Sequence, residues 1–139
     1  MKRTFPRDIA RLDDIFRFLE ASLEAEGIEP SPDVTFWVNL IVEELFTNLV
    51  KYGTDGVHDI EIGIVGEEDR LVIHVTDFDI EGFDVTQAPV VDTAQPLSER
   101  KVGGLGLHLV REIADNVSYE YANRNSTITV TKRLERKRA

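Results

Sequence analysis

A chain of 139 residues, 42% of them apolar, is sized for one domain with a sizeable core and is too apolar to be a disordered segment. Its formal net charge of −10 disfavours nucleic acid as a partner, and the basic run from Arg133 to Arg138 reads as a solvated end. Cysteine is absent, which excludes disulfides and thiolate metal sites and makes the cytoplasm the expected location. No apolar stretch is long enough to span a bilayer, and Phe5-Pro6-Arg7-Asp8 stands where a secretory segment would be apolar.

In chain order, residues 2–5 fit a short edge strand. From Arg7 to Glu26, Leu12, Ile15, Phe16, Leu19 and Leu23 follow the spacing of an amphipathic helix, and Gly27 is its expected stop. Pro30-Ser31-Pro32-Asp33 opens a second helix from about Asp33 to Tyr52, ended by Gly53. Ile41, Leu45, Leu49 and Tyr52 lie on or beside one face of it, while Phe36, Val42, Phe46 and Val50 lie away from that face. This helix is therefore expected to be covered on two sides. Asp59 to Val65 alternates as a strand, Gly66 to Asp69 is a candidate hairpin turn, and Leu71, Ile73 and Val75 alternate in the next strand. The following position in that phase is Asp77, a carboxylate where a fourth core side chain is expected. Phe78 to Gly103 holds no period, a length that suits a lid. Gly103-Gly104-Leu105-Gly106-Leu107 then runs into a third helix through Leu109, Val110 and Ile113. Val117 to Tyr121 and Thr127 to Thr131 form a last hairpin around Asn123-Arg124-Asn125.

Four features carry chemistry. Glu44 and Asn48 stand one helical turn apart on the same face, bordering the buried stripe. A carboxylate and an amide in that place cost free energy unless a ligand or water satisfies them. The amide oxygen is a hard donor suited to Mg²⁺, and the carboxylate is placed to take a proton from an attacking hydroxyl. The same pair also fits a rim that meets water. Asp77 suits either a hydrogen bond from a ligand amine, such as that of adenine, or the start of a turn. The glycines at 103, 104 and 106 let backbone N–H groups approach a phosphate at a helix N-terminus, and equally suit a plain loop-to-helix turn. Arg100 and Lys101 precede them, within reach of a terminal phosphate or of solvent. His58, His74 and His108 show no metal spacing.

The order of these pieces resembles the GHKL ATPase superfamily, whose nucleotide-binding domain is the Bergerat fold. Within it the chain looks most like the anti-sigma factor serine/threonine kinases. The matching segments are Glu43 to Tyr52, Val75-Thr76-Asp77, Gly103 to Asp115 and the ending Tyr119 to Lys132. The resemblance implies ATP or ADP with Mg²⁺ as cofactors, Glu44 as the general base and Asn48 as the metal ligand. Asp77 would bind the adenine amine. Gly82, Gly104, Leu105 and Gly106 would line the nucleotide, with Lys101 or Arg100 at its terminal phosphate and Ser126 near the base. It also implies a sigma factor and an anti-anti-sigma protein as partners, a homodimer, and no membrane. Two stretches depart from the pattern. The first glycine box is Asp77-Phe78-Asp79-Ile80-Glu81-Gly82-Phe83-Asp84, with Asp79 in place of the first glycine and Gly82 one place late. Asn125-Ser126 stands where the family often has Gly-Thr.

The expected fold is an α/β two-layer sandwich filling one domain: a mixed, mostly antiparallel sheet with three helices on one face and a lid at about 84–103. The expected function is protein serine/threonine kinase and anti-sigma factor. The rivals are a catalytically impaired module that regulates transcription by sequestration, and a detached domain acting on a protein histidine.

Overall fold

The computed structural model describes residues 1–29, 31–52, 57–79 and 110–134. Strand β1 (Lys2–Phe5) leads through a single 3-10 turn (Ile9–Arg11) into α1 (Leu12–Ala25). Then follow α2 (Pro32–Tyr52), β2 (Ile60–Glu67), β3 (Arg70–Asp77), β4 (Asn116–Ala122) and β5 (Asn125–Arg133). Residues 110–113 are also helical; the rest of the expected third helix, the lid and Gly53 lie outside the described residues.

The helix ends follow from local chemistry. Gly27 adopts φ +71, and Ile28 and Gly27 donate to the carbonyls of Leu23 (3.0 Å) and Glu24 (3.1 Å). These are the two bonds of a Schellman motif, which needs a left-handed residue where glycine bears no Cβ penalty. At the start of α2, the Ser31 hydroxyl accepts from Val34 N–H at 3.1 Å and Pro32 occupies the first helical position, where its missing N–H costs nothing.

The sheet runs in the order β1-β2-β3-β5-β4, with every pairing among the described strands antiparallel, where the sequence reading allows for a mixed sheet. Each tight hairpin has a two-residue turn. Between β4 and β5, Asn123 and Arg124 have φ 54 and 64, as a primed hairpin turn requires. Between β2 and β3 the turn is Glu68-Asp69; Gly66 stays within the strand.

Opposed residues share a face, so the core reads off the register in rows. Ile64, Ile73, Val130 and Val117 form one row, and Ile62, Val75, Ile128 and Tyr119 the next. α1 packs on β2 and α2, and α2 packs on β3, which buries Ile15, Leu19, Ile41, Val42, Leu45 and Phe46 against these rows. Each such side chain removed from water contributes about 1.5–3 kcal/mol. The opposite sheet face is only half covered and is knitted by hydroxyls: Thr76 with Thr127 at 3.0 Å and His74 with Thr129 at 3.1 Å. His74 thus has an ordinary hydrogen-bonding partner. The two-sided burial expected of α2 holds for Val42 and Phe46 but not for Phe36, which is 68% exposed near the start of the helix, beyond the sheet's reach.

Candidate functional site

One row further along the sheet, the core turns polar. Asp77, Ser126 and Tyr121 occupy the positions that Val75, Ile128 and Tyr119 hold in the row before. Asp77 is 0% exposed and Ser126 is buried, so the last residue of β3 keeps the inward phase read from the sequence and carries a carboxylate into the interior. A buried carboxylate must be paired. The partner is Arg7, from the connection between β1 and the 3-10 turn. Its Nη1 donates to Asp77 Oδ1 at 2.6 Å and its Nη2 to Oδ2 at 3.1 Å, a two-point fork.

The same Nη2 donates to the carbonyl of Leu49 at 3.0 Å, and Nη1 to that of His58 at 3.4 Å. Leu49 lies in the last turn of α2, where carbonyls lack intrahelical donors and the helix dipole is negative. The guanidinium therefore joins the end of α2, the residues before β2 and the end of β3. Asn48 precedes Leu49, so the helix segment and the strand carboxylate predicted to share a ligand are within one guanidinium of each other.

Glu44 and Asn48 are half-buried beside the fully covered Ile41 and Leu45. The Asn48 amide nitrogen is buried and has no hydrogen-bond partner. Among the described residues no three His, Cys, Asp or Glu side chains form a metal cluster. Mg²⁺ needs none, since it is commonly held by one or two protein oxygens with phosphates and water. The Asn48 side-chain oxygen, with Glu44 one turn away, is of that donor type.

Beyond β3, Asp79 stands where the resembled family has glycine, and its φ of 51 lies in the left-handed region that glycine favours. Aspartate is among the few residues that tolerate it. The conformation is held by the β4–β5 turn: Arg124 Nε donates to Asp79 Oδ1 at 2.8 Å, and Asp79 N–H donates to Asn125 Oδ1 at 3.1 Å. His58 Nε2 lies 3.8 Å from Asp79 Oδ2. The hydrogen bond from Arg124, then its charge, holds the Asp79 carboxyl below the usual range. The acidic departure from the family pattern is thus neutralised in place and preserves a glycine-like backbone.

Asn48, Asp77 and Ser126 therefore lie towards one end of the sheet and of α2, with Glu44 one turn further into the helix. Gly82, Lys101, Gly104, Leu105 and Gly106 lie outside the described residues. Arg7 is the residue that sequence reasoning missed. A lone arginine seventy positions from its partner leaves no periodicity; the only available signal was that a core-phase aspartate requires a cation.

Residues 5–132 match the histidine kinase-like ATPase domain family. The serine-protein kinase RsbW of Halalkalibacterium halodurans is 31% identical over 103 residues, covering 71% of this chain and 62% of the relative. The serine-protein kinase RsbW of Bacillus pumilus is 33% identical over 109 residues, covering 73% and 66%. The chain thus spans slightly less than two thirds of the length of these relatives. Among solved structures, the histidine kinase domain of the Erythrobacter litoralis EL346 blue-light activated histidine kinase superposes with a TM-score of 0.54 at 15% identity, covering 91% of this chain and 60% of that one. This likeness is one of fold. The antiparallel sheet with its helices, the polar end of the core and the match across nearly the whole chain agree: this protein belongs to the histidine kinase-like ATPase domain family.

Proposed function

We propose that the protein is an ATP-dependent serine/threonine protein kinase that also acts as an anti-sigma factor. In this reading it phosphorylates a small anti-anti-sigma partner, sequesters a sigma factor, and works as a cytoplasmic homodimer. The reading is supported by the RsbW relatives and by the family match. The observation that carries it is the buried Asn48 amide nitrogen without a hydrogen-bond partner, one turn from Glu44, on the helix whose last turn is joined through Arg7 to the buried Asp77 carboxylate.

Asn48 would hold Mg²⁺, which when bound offsets charge on the phosphates. Glu44 would take the proton from the acceptor hydroxyl as its oxygen bonds to the γ-phosphorus of ATP and the bond to the β–γ bridging oxygen breaks, releasing ADP. Asp77 accepts a hydrogen bond from the base amine, and Ser126, directly across the strand pair, borders the same spot. The helix holding Glu44 and Asn48 is fixed by core packing on two sides, so the reacting groups are positioned before substrate arrives.

The test is transfer of label from ATP to a serine-bearing anti-anti-sigma partner. Glu44→Gln is expected to slow transfer by about a hundredfold or more, the scale of general base catalysis, with ATP affinity retained. Equal rates for the two proteins would remove the base assignment. A second reading, a module that sequesters a regulator without catalysis, is favoured by one observation: Asp77 is already engaged by Arg7. Absence of heat on titrating millimolar ATP with Mg²⁺ would favour it.

A further inference from the structure

We infer that Arg7 is an internal competitor for the base-recognition carboxylate, so that an adenine nucleotide binds by displacing the Arg7 side chain from Asp77. This rests on the reading above that the chain takes adenine nucleotide through Asp77. An exocyclic amine needs a carboxylate oxygen with room for a donor. Here both Asp77 oxygens receive guanidinium N–H bonds, and the residue is 0% exposed. Each oxygen keeps a second lone-pair site, but with Arg7 docked and the residue fully buried neither is open to a ligand amine.

The exchange is chemically matched. Arginine and the amine of adenine both present N–H donors, so the buried carboxylate keeps a hydrogen-bond partner, but the amine is neutral and the loss of the ion pair is the cost by which Arg7 lowers affinity. Arg7 is also placed to leave. Its side chain is 13% exposed, it belongs to a connection rather than a strand or helix, and the 3-10 turn that follows buries none of its residues. Segments with few buried contacts open at low cost without disturbing the core. The Leu49 and His58 carbonyls that Arg7 also binds are backbone acceptors at the ends of elements, which water can satisfy once the side chain moves. Arg7 would therefore set nucleotide affinity from outside the motifs read in the sequence. It would also discriminate between bases, because a carbonyl in place of the amine cannot replace its donors.

The test combines calorimetry with amide hydrogen exchange, using ADP with Mg²⁺ and inosine diphosphate, whose base bears a carbonyl at the amine position. Arg7→Gln is expected to bind ADP about tenfold more tightly than wild type, near the lower end for one charge-assisted hydrogen bond, with a smaller gain for inosine diphosphate. In wild type, ADP is expected to speed exchange at the amides of Asp8, Ala10 and Arg11. These donate to Pro6 O (2.8 Å), Asp8 Oδ1 (3.0 Å) and Asp8 O (2.9 Å), bonds within the segment that carries Arg7. If ADP binds both proteins equally and leaves those amides unchanged or slower, the competition is overturned while nucleotide binding stands. If neither protein binds ADP at millimolar concentration, the nucleotide reading itself fails and the competition falls with it. Should Arg7→Gln not fold, the exchange measurement on wild type decides alone.

Discussion

Two aspartates only two positions apart, Asp77 and Asp79, are each held by an arginine from a distant segment, yet the two pairs differ in almost every physical respect. Asp77 and Arg7 are 0% and 13% exposed; Asp79 and Arg124 are both 59% exposed. The inner pair is forked and tied to helix and loop carbonyls. The outer pair is a single contact across a turn. Burial raises the cost of breaking a pair far more than it raises the value of making one, because the group left behind has lost its water. The inner pair therefore constrains stability and, on the inference drawn above, would govern access to Asp77. The outer pair mainly shapes the backbone after β3.

The comparison can be broken most directly at the inner pair. Arg7→Ala is expected to cost about 3–5 kcal/mol, the penalty for stranding a buried charge, read as a lowered denaturant midpoint. A loss below about 1 kcal/mol, the range of exposed pairs, would mean that water reaches Asp77 and that the two sites are alike. Removing both partners sharpens the point: Arg7→Ala with Asp77→Ala should be less destabilised than Arg7→Ala alone, since no charge is left without a counterpart. Equal or additive losses in that cycle would refute the coupling. The smallest effect is expected from Arg124→Ala, whose denaturant midpoint at neutral pH and high salt should be nearly that of wild type. Because the folded-state carboxyl of Asp79 lies below its usual range, whatever this pair contributes is present above the ordinary aspartate value. It is lost as pH falls through the lowered one. The wild type and Arg124→Ala should thus converge in acid, and a gap that widens there would contradict the assignment.

The same contrast explains how much was legible in the sequence. Alternation of Ile60, Ile62, Ile64 and of Leu71, Ile73, Val75 carries the strand faces, because side-chain direction along a strand is a local property. It also placed Asp77 inside, by extension of the phase. Gly27 was legible as a stop because a helix C-terminus needs one left-handed residue at one place. Glu44 and Asn48 share a face by the geometry of the helix itself. Arg7 was not legible, and neither was Arg124: an ion pair between residues far apart in sequence is set by how the sheet is assembled, which no window along the chain contains. Asp79 looked from sequence like an acidic intrusion beside a phosphate site. Its left-handed backbone and its Arg124 partner turn that substitution into a conservative one.

The strand order β1-β2-β3-β5-β4 bears on how fast the molecule assembles. The β2–β3 and β4–β5 hairpins each close over two residues and can form within microseconds. The seam between β3 and β5 must first bring together strands separated by residues 78–124, and the entropy of closing so long a loop makes such a step slow. Trimming the seam with Ile128→Val is therefore expected to slow refolding, because its contact with Val75 forms in the slow step. Stopped-flow kinetics in which Ile128→Val only quickened unfolding would place the slow step elsewhere.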